Sequence, residues 1–106
     1  MNFNSVQKLL TGVLVTGAGA TYPAQRNGGG DRTFQGYVAG TGAVTATADI
    51  QVSNDGTNWL TLATITLSGT TSDTDGFSSA ANWAYYRADC TAISGTDAAL
   101  TVLMGA

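Results

Sequence analysis

Ala48-Asp-Ile-Gln-Val-Ser-Asn-Asp-Gly-Thr-Asn-Trp-Leu-Thr-Leu-Ala-Thr-Ile-Thr-Leu67 reads as two alternating runs joined at Asn54-Asp55-Gly56, and this reading decides the fold class. Ahead of the turn, Ala48, Ile50 and Val52 share one face while Asp49, Gln51 and Ser53 share the other, the period of two that marks a half-buried strand. Asn54 and Asp55 can bond their own backbone. Gly56 suits the left-handed bulge position that follows a type I hairpin turn. Trp59 opens the return strand, where it is expected to cap the end of the core. Beyond it the parity changes. Leu60 and Leu62 fall on one face, Ile65 and Leu67 on the other, so a bulge near Thr64 or a strand that changes sheets is expected.

Outward from this hairpin, strand signals recur about every 8–12 residues, with no heptad and no helical stripe. Gly12-Val-Leu-Val-Thr16 is the first. In Arg32–Ala39, Phe34, Gly36 and Val38 oppose Thr33, Gln35 and Tyr37. In Trp83–Ala92, Tyr86, Ala88 and Cys90 oppose Tyr85, Arg87 and Asp89. Leu100, Val102 and Met104 form a last apolar row, and the turn Ser94-Gly-Thr-Asp97 is read as joining the last two strands into a second hairpin. Residues 22–31, with Pro23 and Gly28-Gly29-Gly30, read as a Gly-rich loop. Ser68 to Asp75 reads as a polar loop, and Gly76 to Ala80 as a short strand or bend. These signals predict an all-β chain: an antiparallel β-sandwich, immunoglobulin-like or jelly-roll-like, of about seven to eight short strands. One domain is expected over residues 1–106, with residues 1–11 as an extended N-terminal arm.

Composition narrows the chemistry. The 106-residue chain has no His and one Cys, and all seven of its acids are Asp, residues 31, 49, 55, 73, 75, 89 and 97. The four basic residues, Lys8, Arg26, Arg32 and Arg87, are scattered, which argues against the basic face that nucleic-acid binding needs. Thr, Ala, Gly and Ser make up about half the chain. A core built largely from Ala, Thr and Val gains little per residue at about 25 cal/mol per Å², so assembly is expected to support the fold. A lone Cys90 makes no internal disulfide, and without a His it lacks the usual base for nucleophilic catalysis. Lys8 followed by Leu9 to Val15 has the outline of a secretory apolar segment, but Thr11 and Gly12 interrupt it, and it is read as part of the mature β-structure. No apolar run approaches the roughly 18 residues of a membrane span.

Four constellations invite a functional reading. Asp73-Thr-Asp75-Gly76 resembles the start of a calcium loop, but the closing Glu such loops use is missing, and a solvated turn is the expectation. Asp49 and Asp89 both lie within strands. Two carboxylates can hydrolyse glycosides, but Arg87 shares a face with Asp89, and a solvent-facing charge pair is the simpler expectation. Gly28-Gly29-Gly30 lacks the Lys-Ser/Thr of a phosphate loop. Tyr37, Trp59, Trp83 and Tyr85 are candidates for a sugar-stacking platform, or equally for core corners or protein-interface anchors. No enzyme activity, metal or cofactor is expected.

Ile50 to Leu62 and Trp83 to Val102, with the Tyr85-Tyr86-Arg87-Ala88 strand as the more telling half, resemble small β-sandwich virion proteins of tailed bacteriophages. The resemblance implies a non-enzymatic structural protein, most simply a capsid decoration (cement) protein. Such a protein binds the outer capsid surface and stabilises the shell. The implied partners are the major capsid protein and further copies of the chain, as a homotrimer. The implied location is the capsid exterior, after synthesis in the host cytoplasm. Candidate interface residues are Phe3, Leu9, Leu10, Tyr22, Arg26, Tyr37, Tyr85 and Arg87. The alternative is a tail- or fibre-associated adhesion or carbohydrate-binding module, since Ser-Asn-Asp-Gly-x-x-Trp hairpins also occur in such sandwiches.

Overall fold

The computed structural model describes residues 6–23, 32–80 and 83–105. These residues are all-β. Strands β1 (Val6–Val13), β2 (Gly17–Ala18), β3 (Tyr22–Pro23), β4 (Arg32–Ala39), β5 (Val44–Ser53), β6 (Leu60–Gly69), β7 (Ser72–Ser79), β8 (Tyr85–Ser94) and β9 (Ala99–Gly105) form two antiparallel sheets. The first runs β1-β9-β4-β7. The second runs β8-β5-β6, with β2 and β3 both on the outer edge of β8.

The pairing is nested. β5 pairs with β6, β4 with β7, β2 and β3 with β8, and β1 with β9. The pairs Val44↔Gly69, Arg32↔Ser79, Tyr22↔Tyr86 and Val6↔Gly105 all lie nearly symmetrically about Asn54-Asp55-Gly56. The chain is therefore one long double ribbon with that turn at its tip. The additional pairs β4·β9 and β5·β8 roll the ribbon into two layers.

The inward rows are those that alternation predicts. Phe34 and Val38 of β4, Ala48, Ile50 and Val52 of β5, Tyr86, Ala88 and Cys90 of β8, and Leu100, Val102 and Met104 of β9 are all buried. Phe34 is the centre of the aromatic packing, with its ring 5.0 Å from Phe77 and 5.9 Å from Tyr86. The parity change in β6 is a bulge. Ile50 pairs with Ala63 and Gln51 with Thr61, leaving Leu62 as the extra residue. Ile65 and Leu67 therefore face the core while Leu60, at the strand end, is exposed.

Several expectations are corrected. Residues 6–11 of the expected arm belong to β1, an edge strand held by β9. Leu9 and Leu10, expected as arm contacts, are 2% and 4% exposed and part of the core. Both adjacent leucines face inward because β1 carries an irregularity between Lys8 and Leu10, which spends two steps against one on β9. The segment read as the first strand lies mostly beyond β1, and Leu14 and Val15 are exposed. The expected polar loop from Ser68 to Asp75 is a tight corner between β6 and β7, with β7 running from Ser72. The expected second hairpin does not form. β8 and β9 lie in different sheets, joined by a corner in which Gly95 (φ 125°) and Asp97 (φ 56°) take left-handed backbone. A Cβ on Gly95 would sit 2.5 Å from the Ala43 carbonyl oxygen, so the corner closes only around glycine. The Gly-rich loop contributes Tyr22 and Pro23 to β3. Its remainder, with Arg26, lies outside the described residues, as do Phe3 and the first five residues.

Candidate interaction surfaces

The turn at the ribbon tip is chemically saturated. Ser53, placed outward by alternation, is 1% exposed because its hydroxyl faces into the turn. Its Oγ accepts the N–H groups of Asp55 (3.1 Å) and Gly56 (2.9 Å) and donates to Asp55 Oδ1 (2.8 Å). The Asp55 carboxylate also accepts from the backbone N–H groups of Asn58 and Thr57 and from Asn58 Nδ2, each at 2.8 Å. These donors, the Asn58 backbone foremost, hold the Asp55 carboxyl well below the usual carboxylate range. Asn54 Oδ1 accepts the Ala84 N–H, tying the tip to the start of β8. The side-chain oxygens of Ser53, Asn54 and Asp55 are thus each engaged by a donor of the turn or of Ala84.

The two sheets present unlike outer faces. On the first sheet, the outward positions run in rows: Val6-Gly105-Thr33-Ser78, Lys8-Leu103-Gln35-Gly76, Thr101-Tyr37-Thr74, and Ala99-Ala39-Ser72. Lys8 is the only charge in them. Tyr37 stands 47% exposed near the middle of the face, and Val6 is exposed at its β1 edge. Val6, Thr33, Gln35, Leu103 and Gly105 line a dimple of about 100 Å³. That is well below the roughly 300–1,000 Å³ of a small-molecule pocket. Gln35 Nε2 donates to Thr74 Oγ1, which donates to the Gly36 carbonyl, so these polar groups are paired within the face.

The second sheet carries the charge. Asp49 and Asp89 are directly opposite each other on β5 and β8, and in the next row Gln51 faces Arg87. Asp49 Oδ1 accepts the Thr64 hydroxyl (2.8 Å). Arg87 Nε donates to Gln51 Oε1 (2.7 Å), and its guanidinium lies 4.2 Å above the Trp59 ring. The expected Arg87–Asp89 charge pair is therefore replaced. The side chain leans across the sheet over β5, where the Gln51 amide holds it, toward Trp59 just before β6. Trp59 does not cap the core; Trp83 packs against it instead.

The eight expected interface residues scatter. Phe3 and Arg26 lie outside the described residues, Leu9 and Leu10 are in the core, and Tyr22 packs partly buried against it. Tyr85 and Arg87 come together on the second sheet, with the Tyr85 ring 3.8 Å from where a Cβ on Gly56 would lie. Tyr37 is on the opposite sheet. The four aromatics proposed as a sugar platform are thus divided between two faces and the core, and Arg87 covers one face of Trp59. Asp73 and Asp75, the residues of the calcium-like motif, sit on β7, each accepting backbone N–H groups: Asp73 those of Ser68 and Thr74, Asp75 that of Gly76. Burial pushes the Cys90 thiol up from its ordinary range, and the Asp89 charge adds to this against a weak hydrogen bond to the Ala92 carbonyl.

The sequence reading missed Leu14, Val15 and Leu60 as exposed apolar positions, because apolar character in an alternating run signals core. The Asp49–Asp89 juxtaposition is set by register and has no local signal. No protein-family model, curated protein or solved structure matches the chain.

Proposed function

We propose that this chain is a non-enzymatic structural protein of a virion, a jelly roll that coats the outside of a capsid and stabilises the shell. The jelly-roll reading rests on the nested pairing, in which a double ribbon rolls into two four-stranded layers once β2 and β3 count as one interrupted strand. The observation that carries the functional reading is the outer face of the β1-β9-β4-β7 sheet. Among the described residues it is a broad sheet surface with one charge, Lys8, with Gln35 and Thr74 hydrogen-bonded within the face and Tyr37 exposed at its middle. Charged residues are depleted and Tyr enriched in the buried centres of protein interfaces, because removing charge from water is expensive. The slab-like outline, 42 × 33 × 17 Å, lets this face lie flat against a shell. The partner is the major capsid protein. The carboxylates that do meet, Asp49 and Asp89, stand on an open sheet face rather than in a cleft, an arrangement that suits contact better than catalysis.

The test is quantitative mass spectrometry and cryo-electron microscopy of purified particles from the phage that encodes the chain. About one copy per capsid subunit, seated on the exterior through the face that carries Tyr37, is expected. Copy numbers far below the capsid subunit, or a location confined to the tail, overturn the reading. Tyr37→Asp is expected to keep the fold, by circular dichroism, and to lose the coat.

A further inference from the structure

The second sheet's outer face carries both signs of charge and, among the described residues, leaves both without an ionic partner. Among the described residues, Arg87 is in no ion pair; its Nε is used by Gln51 and its flat side by Trp59, which leaves the Nη groups of the fork free. Asp49 and Asp89 face each other across the β5–β8 ladder, and like charges directly opposite are destabilising. Of the two, Asp49 has the Thr64 hydroxyl, and neither has a cation among the described residues. Arg87 and Asp89 are two residues apart on one strand, so their backbone positions lie about 7 Å apart on one face.

We propose that this face pairs with the same face of a second copy, Arg87 of each chain reaching Asp89 and Asp49 of the other. Donor and acceptor lie side by side on a single surface, so a two-fold axis between the rows satisfies both contacts at once. Such an isologous contact closes at two subunits. The symmetric product is therefore a dimer, not the homotrimer that the resemblance implies. The second copy supplies the cation that the Asp49–Asp89 pair lacks. Arg87 is already held in place by Trp59 and Gln51, so little side-chain freedom is lost on contact. A planar guanidinium with a free fork suits a carboxylate bidentately. Tyr85 and Trp59, beside Arg87, belong to the residue types that dominate interface energetics. The inference is independent of the capsid reading.

The experiment is sedimentation equilibrium of the purified full chain, with circular dichroism to confirm the fold of each variant. The wild type is expected to be a dimer that weakens as salt rises. Arg87→Asp and Asp89→Lys are each expected to lower self-affinity at least about tenfold, the smaller end of measured charge-pair couplings. An equimolar mixture of the two folded variants is expected to associate one to one, since one face is then wholly acidic and the other largely basic. A wild-type monomer at all concentrations, a trimer, an unchanged Arg87→Asp dimer, or folded variants that fail to associate on mixing would each overturn the proposal.

Discussion

Ser53→Ala tests whether the turn at the ribbon tip is held by one buried hydroxyl. In the folded chain the Ser53 Oγ accepts two backbone N–H groups, from Asp55 at 3.1 Å and Gly56 at 2.9 Å, and the residue is 1% exposed. Alanine fits the same space but leaves both donors without that acceptor. A hydrogen bond contributes about 1 kcal/mol net, and a buried donor left unmade costs about 1–3 kcal/mol. Gly56 is only half-buried and Asp55 is exposed, so water replaces part of the loss. The expected cost is about 2 kcal/mol, toward the lower end of that range for two bonds. In a domain of this size, 1 kcal/mol moves Tm by about 4–8 °C, which gives a fall of about 8–16 °C. The measurements are thermal unfolding by far-ultraviolet circular dichroism and urea unfolding, with the midpoint lowered and the m-value unchanged. Thr57→Ala is the control. Its side chain is exposed and uninvolved in the turn's hydrogen bonds, so it should change stability by less than about 0.5 kcal/mol. A Ser53→Ala variant as stable as Thr57→Ala would refute the reasoning.

Three further outcomes are expected. The Asp55 carboxyl titrates lower in the folded chain than in the unfolded one, so its stabilisation is present above the unfolded value, near 4, and is lost as pH falls below it toward the folded value. Asp55→Asn should flatten that acid limb of the stability profile; an unchanged limb would place the acid sensitivity elsewhere. Gly76→Ala would drive a Cβ into the Phe34 carbonyl oxygen across the β4–β7 ladder. It should cost about 1–3 kcal/mol in urea unfolding, the usual range for overpacking, and a neutral result would mean the edge strand yields freely. Cys90 is 1% exposed and its thiol is raised by burial, so a thiol-reactive dye should label it only as fast as the protein unfolds; rapid labelling of the native chain would contradict its place in the core.

Local chemistry was legible where a single residue or its nearest neighbours settle the matter. Alternation along β4, β5, β8 and β9 marks the buried rows, because a pleated strand must send successive side chains to opposite sides. The parity change after Trp59 announces the Leu62 bulge, since two apolar registers on one strand fit a single core only with an extra residue between them. Asn54-Asp55-Gly56 marks the turn, because Asp55 and Gly56 carry its bonding and backbone geometry. Other residues gave no such signal. Leu9 and Leu10 resemble Leu14 and Val15 in character, yet the first two are buried and the last two exposed. The difference is whether β9 is alongside.

The amino-acid sequence alone thus determined the class of structure, the buried face of most strands and the one pairing that is local, β5 with β6. Only the tertiary structure decided that β8 and β9 part into different sheets, that β1 closes the ribbon against β9, and that Asp49 meets Asp89 while Arg87 turns to Trp59. The physical reason is range. A turn or an alternating run is selected by interactions a few residues apart, whereas the partner of an edge strand is selected by which distant surface buries the most apolar area once the whole ribbon has rolled up.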